Sequence, residues 1–99
     1  MSPTVQRLPC RRDDVRLDDR EIHSYLVSTE LGIAHELNAM ARAVWELCDG
    51  STRVDEVVDA ICQVFDVNRE VAVADVVAIV DQLAAAKLVG WVDAPREGS

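Results

Sequence analysis

The spacing of apolar residues changes character once along this chain, at Leu37. From Asp13 apolar and polar positions alternate, the period-two pattern of half-buried strands, and short strand-like segments continue to Leu37. Val15 and Leu17 flank Arg16 and predict a short first strand. The segment 18–21 (DDRE) predicts a turn, because Asp side chains hydrogen-bond nearby backbone. A second strand is predicted over Ile22–Val27, where Tyr25, Leu26 and Val27 favour pleated backbone. Residues 28–32 (STELG) predict another turn in which Gly32 takes positive φ without steric cost. Ile33–Leu37 then predicts a third strand. Short strands joined by tight turns imply an antiparallel meander. Residues 1–12 hold two prolines and no periodicity, and are expected to form a flexible N-terminal arm.

After Leu37 the period becomes helical. Ala41, Val44, Trp45 and Cys48 make one stripe, with Leu47 beside it. Asn38 is a favoured N-cap, since its side chain accepts an orphan backbone N–H, and Gly50 is placed as a left-handed terminator. A second helix is predicted over about 53–65, with Val54, Val57, Val58, Ile61 and Phe65 inward and Thr52 with Asp55 in a capping-box arrangement. Asn68 predicts the cap of a third helix over about 69–87, where Val73, Val76, Val77, Val80, Leu83 and Ala84 recur at helical spacing. Residues 88–92 (LVGWV) pack back, and residues 93–99 form a flexible C-terminal tail. The expected fold is α+β: a three-stranded antiparallel sheet followed by three helices, winged helix-turn-helix-like, with its domain over residues 13–92.

Composition narrows the function classes. A chain of 99 residues suits one domain with a modest core. No apolar run reaches the roughly 18 residues of a membrane span and no signal peptide is evident, so a cytoplasmic protein with reduced thiols at Cys10, Cys48 and Cys62 is expected. The net charge is −8. Its sign repels phosphate backbones, so no nucleic-acid partner is expected, and a basic or apolar partner suits the surface better. His23 and His35 lie in predicted strands with no metal-ligand spacing around them. No P-loop, nucleophile elbow or dinucleotide fingerprint occurs. Neither an enzyme nor a cofactor is expected.

Binding is the remaining class. If Ile33–Leu37 is a sheet edge, its unpaired backbone groups can template an added peptide strand. Four or five ladder bonds at roughly 0.5–1.5 kcal/mol each compete with backbone ordering of about 1–2 kcal/mol per residue. Micromolar affinity, about −8 kcal/mol, therefore also needs two or three buried peptide side chains at roughly 1.5–3 kcal/mol each. Val73, Val76, Val77 and Val80 of the third helix are the candidate wall for those side chains.

Three segments, ELNAMARAVWELCDG, VDEVVDAICQVFDV and DVVAIVDQLAAAKLV, together resemble the PqqD-like family, which includes recognition elements for ribosomally made, post-translationally modified peptides. The resemblance rests on Leu37, Asn38, Ala41, Val44, Trp45, Cys48, Asp49 and Gly50, then Glu56-Val57, then Asp75 to Leu88. It covers about residues 13–92. It implies a winged-helix-like fold whose third strand pairs with a precursor's leader peptide while the third helix flanks it. Gly32, Ile33, Ala34, His35 and Glu36 would give backbone pairing, and Val73, Val76, Val77 and Val80 the groove wall. The implied partners are the precursor peptide and a modifying enzyme, such as a radical SAM enzyme, a leader protease or a cyclase. Arg53 stands where the family often has a Thr or Ser cap, Lys87 where Gly is common, and the turn between the second and third strands is longer and lacks the frequent Pro. The last departure favours a peptide class other than the PQQ precursor. The alternatives are a winged-helix nucleic-acid-binding regulator, which would need a basic third helix, and a homodimeric scaffold pairing edge to edge. A monomer or a homodimer is compatible with the sequence.

Overall fold

The computed structural model describes residues 6–20 and 23–92. In chain order the elements are β1 (Leu8–Arg11), β2 (Val15–Arg20), β3 (His23–Ser28), β4 (Ile33–Leu37), α1 (Ala39–Glu46), α2 (Val54–Val64), α3 (Arg69–Ala85) and β5 (Val89–Val92). The expected α+β layout is present. β2, β3 and β4 form an antiparallel meander in that order, and β1 pairs with β5 in a separate two-stranded sheet.

β1 corrects the expected N-terminal arm. Leu8 to Arg11 are strand, with Pro9 opposite Trp91 and Cys10 opposite Gly90. The other side of β1 is covered by the loop after α1. Arg11 N–H donates to the Cys48 carbonyl at 2.8 Å, and Gly50 N–H donates to Pro9 at 2.9 Å. Proline cannot donate to a ladder, so Pro9 takes part through its carbonyl. The expected tail at 93–99 and Ile22 of the expected second strand lie outside the described residues.

In the meander, Leu26 of β3 sits between Leu17 and His35, and Ser28 between Val15 and Ile33. Directly opposed residues share a face, so Val15, Leu17, Leu26, Ile33, His35 and Leu37 line the inner face. Arg16, Asp18, Tyr25, Val27, Ala34 and Glu36 line the outer one. Ser28 is buried but satisfied: its hydroxyl donates to Asp14 at 2.7 Å and accepts from Leu31 N–H at 3.1 Å. That bond, first among the causes, holds the Asp14 carboxyl below the usual carboxylate range. Asp19 accepts from Arg42 of α1 at 2.9 Å, tying the meander to the first helix.

Asn38 caps α1 as expected, accepting from Ala41 N–H at 2.8 Å, and Asn68 caps α3 by the same bond to Val71 at 2.9 Å. The end of α1 differs from expectation. Its cap is Leu47, and Gly50, at φ +81°, lies beyond it in the loop paired to β1. A Cβ on Gly50 would stand 3.2 Å from the Cys10 sulfur, so close approach as well as φ calls for glycine. The Arg11 guanidinium serves the helix end instead, donating to the Glu46 carbonyl at 2.5 Å. It also lies over the Trp45 ring, 5.4 Å from the centroid.

The expected Thr52–Asp55 capping box is displaced by one residue. Thr52 donates its hydroxyl to Asp49 at 3.2 Å, leaving Arg53 as the cap of α2. The Glu56 carboxylate accepts the Arg53 N–H at 2.9 Å, which is the return half of a capping box.

α3 ends in a Schellman motif. Leu88 N–H reaches the Leu83 carbonyl at 2.9 Å and Lys87 N–H that of Ala84 at 3.0 Å. The residue in the left-handed position, at φ 64°, is Lys87. Leu88 and Leu83 are both buried and bring the chain back into β5. The core joins Leu26 and Leu37 of the meander to Val44 and Trp45 of α1, the inner valines of α2, and Ala72, Val76, Val80 and Leu83 of α3.

Candidate functional site

The meander has two edges, and their side chains separate them. β2 carries Arg16, Asp18, Asp19 and Arg20 in six residues, the dense charge that blunts an edge against strand addition. β4 carries Ile33, Ala34, His35, Glu36 and Leu37. Its outer side is not paired with any described strand. In an antiparallel ladder the backbone groups of alternate residues face away from the paired strand, so β4 offers N–H and C=O groups to an incoming chain. The sequence places the β4 boundaries where the structure has them.

Gly32 leads into this edge at φ +68°. Nothing lies within 4 Å of where its Cβ would stand, so backbone conformation, not space, calls for glycine there. On the outer face Glu36 meets His23 of β3, with 2.5 Å between Oε2 and Nδ1. This contact fixes Glu36 over its own sheet. The sequence gives no sign of it, because the two residues meet diagonally across the ladder. On the inner face Ile33 and His35 are half-buried and Leu37 is buried, so the apolar side of β4 faces the helices.

The four valines expected to form a wall divide into two pairs. Val76 and Val80 are both 0% exposed. They belong to the core, and a peptide cannot touch them without opening it. Val73 and Val77 are half-buried and pack against the outside of that core. Being four residues apart, they lie one above the other on a single flank of α3. Of the four expected wall residues, only that pair is open to contact from outside. α1 packs against both β4 and α3, while β4 and α3 do not pack closely on each other.

The Cys48 thiol is pushed up to about 12, first by burial, and donates to the Val44 carbonyl at 3.2 Å. It is therefore uncharged near neutral pH, when only the thiolate is a nucleophile. Among the described residues no group of three or more His, Cys, Asp and Glu side chains is arranged to hold a metal ion. The solvent side of α3 presents Glu70, Asp75 and Asp81, and Arg69 at its start is tied to Asp59 of α2, a surface unlike a DNA-reading helix. No helix among the described residues is long and apolar enough to cross a membrane.

The family described as coenzyme PQQ synthesis protein D (PqqD) matches over residues 24–89. That span runs from β3 through the start of β5 and leaves out β1 and β2. Among solved structures, TbiB1 in complex with the TbiA(beta) leader peptide is 27% identical, with a TM-score of 0.71 over 85% of this chain and 99% of that one. The PqqD truncation of Methylobacterium extorquens PqqCD, a stand-alone recognition element for ribosomally synthesized and post-translationally modified peptides, is 25% identical. It has a TM-score of 0.69 over 91% of this chain and 99% of its own. No significant match was found among curated proteins.

Proposed function

The chain belongs to the PqqD family, and on that premise we propose that it is a non-catalytic recognition domain for the leader of a ribosomally made precursor peptide. The leader adds as a strand to the open side of β4, along Gly32, Ile33, Ala34, His35 and Glu36. Its inward side chains rest on the flank of α3 marked by Val73 and Val77. The domain, running from β1 to β5, holds the leader while a separate modifying enzyme works on the rest of the precursor. The enzyme classes that suit this role are a radical SAM enzyme, a leader protease or a cyclase. The setting is cytoplasmic, where precursors are made.

The observation that carries the reading is the fold's likeness to TbiB1, whose structure was solved with a leader peptide bound. Local chemistry supports the choice of edge, since β2 is charged along its length and β4 is not. Backbone pairing explains how an edge with little side-chain chemistry selects a peptide. The ladder gives register, and the half-buried positions beside it discriminate among apolar side chains.

Isothermal titration calorimetry tests this with the leader encoded beside the gene and a scrambled leader of the same composition. The genuine leader is expected to bind at micromolar affinity or better with a negative heat-capacity change, the mark of buried apolar surface. Equal binding of the scrambled peptide, or no heat from either, would remove leader recognition from the account.

A further inference from the structure

The β1–β5 sheet carries a hollow of about 500 Å³ that strand addition at β4 leaves unused. Ala84, Val89 and Trp91 give it an apolar floor. Arg11, Arg12 and Lys87 stand around it, with Asp13 the one acid in its lining. Arg7 is not part of the lining but lies over one of its residues, its guanidinium carbon 4.1 Å from the centroid of the Trp91 ring.

This concentration of cations is unusual in a chain of net charge −8. Elsewhere, Arg20, Arg42, Arg53 and Arg69 each pair with an aspartate, and among the described residues only Arg16 has no carboxylate partner there. Around the hollow, Arg12 is shared between Asp14 and, at 4.0 Å, Glu30. No carboxylate among the described residues pairs with Arg7, Arg11 or Lys87. Arg11 spends one nitrogen on the end of α1, whereas Arg7 and Lys87 are exposed.

Lys87 adds an independent observation. It occupies the left-handed position of the Schellman motif, at φ 64°, where glycine would be stabler because it has no Cβ to crowd the carbonyl. Backbone strain of this kind is common where a side chain is put to use. Here the strained residue stands at the mouth of the hollow.

We propose that the hollow docks an acidic segment of a second protein. Carboxylates of that segment meet Lys87, Arg12 and Arg7, and an aliphatic side chain lies on Ala84 and Trp91. The apolar floor fits a carboxylate-bearing peptide better than a phosphate, and the acidic remainder of the surface repels extended polyanions. The surface belongs to a different sheet from β4, so a leader and a docked protein can be held together. The docking chemistry does not depend on the leader reading. Where that reading holds, the docked protein is the modifying enzyme.

The test uses the full chain labelled with nitrogen-15 and the peptide acetyl-ELEELE-amide, with acetyl-KLKKLK-amide and inorganic phosphate as controls. The Trp91 indole and the amides of Val89, Gly90 and Trp91 are expected to shift with the acidic peptide only, while β4 amides stay in place. Lys87→Gly is expected to melt at a higher temperature yet bind the peptide up to about fivefold more weakly, the upper range for one exposed charge pair. Arg7→Gln is expected to weaken binding by a similar factor. No shift, equal shifts with phosphate or the lysine peptide, or unchanged affinity in both variants would overturn the proposal. Dimerisation of the free chain that Lys87→Gly abolishes would place a second copy in the hollow and overturn it as well. A parallel leader titration, read at β4, keeps failure here distinct from failure of leader recognition.

Discussion

Adjacent valines of α3 differ in what they touch, and this separates binding from folding. Val76 is 0% exposed, while Val77 is half-buried on the flank assigned to the peptide. Val76→Ala removes two methyl groups from a closed core. At about 0.8 kcal/mol each plus a cavity contribution, the loss is about 2–3 kcal/mol of stability. In a domain of this size that lowers Tm by roughly 8–24 °C, at about 4–8 °C per kcal/mol. Leader affinity, measured by calorimetry at a temperature where the variant stays folded, should change less than about twofold, within the usual scatter for positions that share no partner. Val77→Ala should cost only about 1 kcal/mol of stability, since its side chain is partly in water already. It should also weaken leader binding about fivefold, because the peptide side chain loses about 1 kcal/mol of buried contact there. Urea melts give the stabilities and titrations the affinities. The reasoning fails if Val76→Ala lowers the affinity of the folded protein as much as Val77→Ala does, or if Val77→Ala leaves it unchanged.

Other expectations follow from single contacts. Arg53→Ser supplies the missing side-chain acceptor at the cap of α2 and should stabilise the fold by about 0.5–1 kcal/mol in a thermal melt; an unchanged or lower Tm would contradict the capping geometry. Asp14 and Asp49 have carboxyls held below their ordinary range, the first by the Ser28 hydroxyl and the second by the Ser51 backbone N–H. A lowered folded-state pKa gives stability that is present above the unfolded value, about 3.9, and lost as pH falls through the folded one. Urea midpoints should therefore fall below about pH 4, and less so in Asp14→Asn, whose midpoint is lower at neutral pH. Cys48 should resist iodoacetamide in the native protein and react only after unfolding, as peptide mapping by mass spectrometry would show.

What the sequence disclosed and what it hid have physical reasons. β4 was legible because Ile33–Leu37 is a short segment bounded by a glycine turn and an asparagine cap. The helix starts were legible because Asn38 and Asn68 supply acceptors that orphan N–H groups need. β1 was hidden because Pro9 argues against a strand, and its partner Trp91 lies at the opposite end of the sequence, beyond the reach of any local pattern. The cap of α2 was misplaced because Thr52 is the better capping residue by type, yet its hydroxyl is taken by Asp49. The division of the α3 valines was hidden too. Val73, Val76, Val77 and Val80 occupy one continuous arc of the helix, and identical side chains give no sign of where the core ends and the flank begins. The role of Lys87 lay between these cases: its departure from glycine was visible, but its place beside a basic hollow required the fold.

The central claim is that a leader pairs with the open side of β4, and amide hydrogen exchange of the complex tests it directly. Alternate amides from Gly32 to Glu36, now facing solvent, should become protected on binding, while those already bonded to β3 change little. The amides of β2 should exchange as they do in the free protein. Protection appearing along β2, or no added protection on β4 when the leader is bound, would contradict the account.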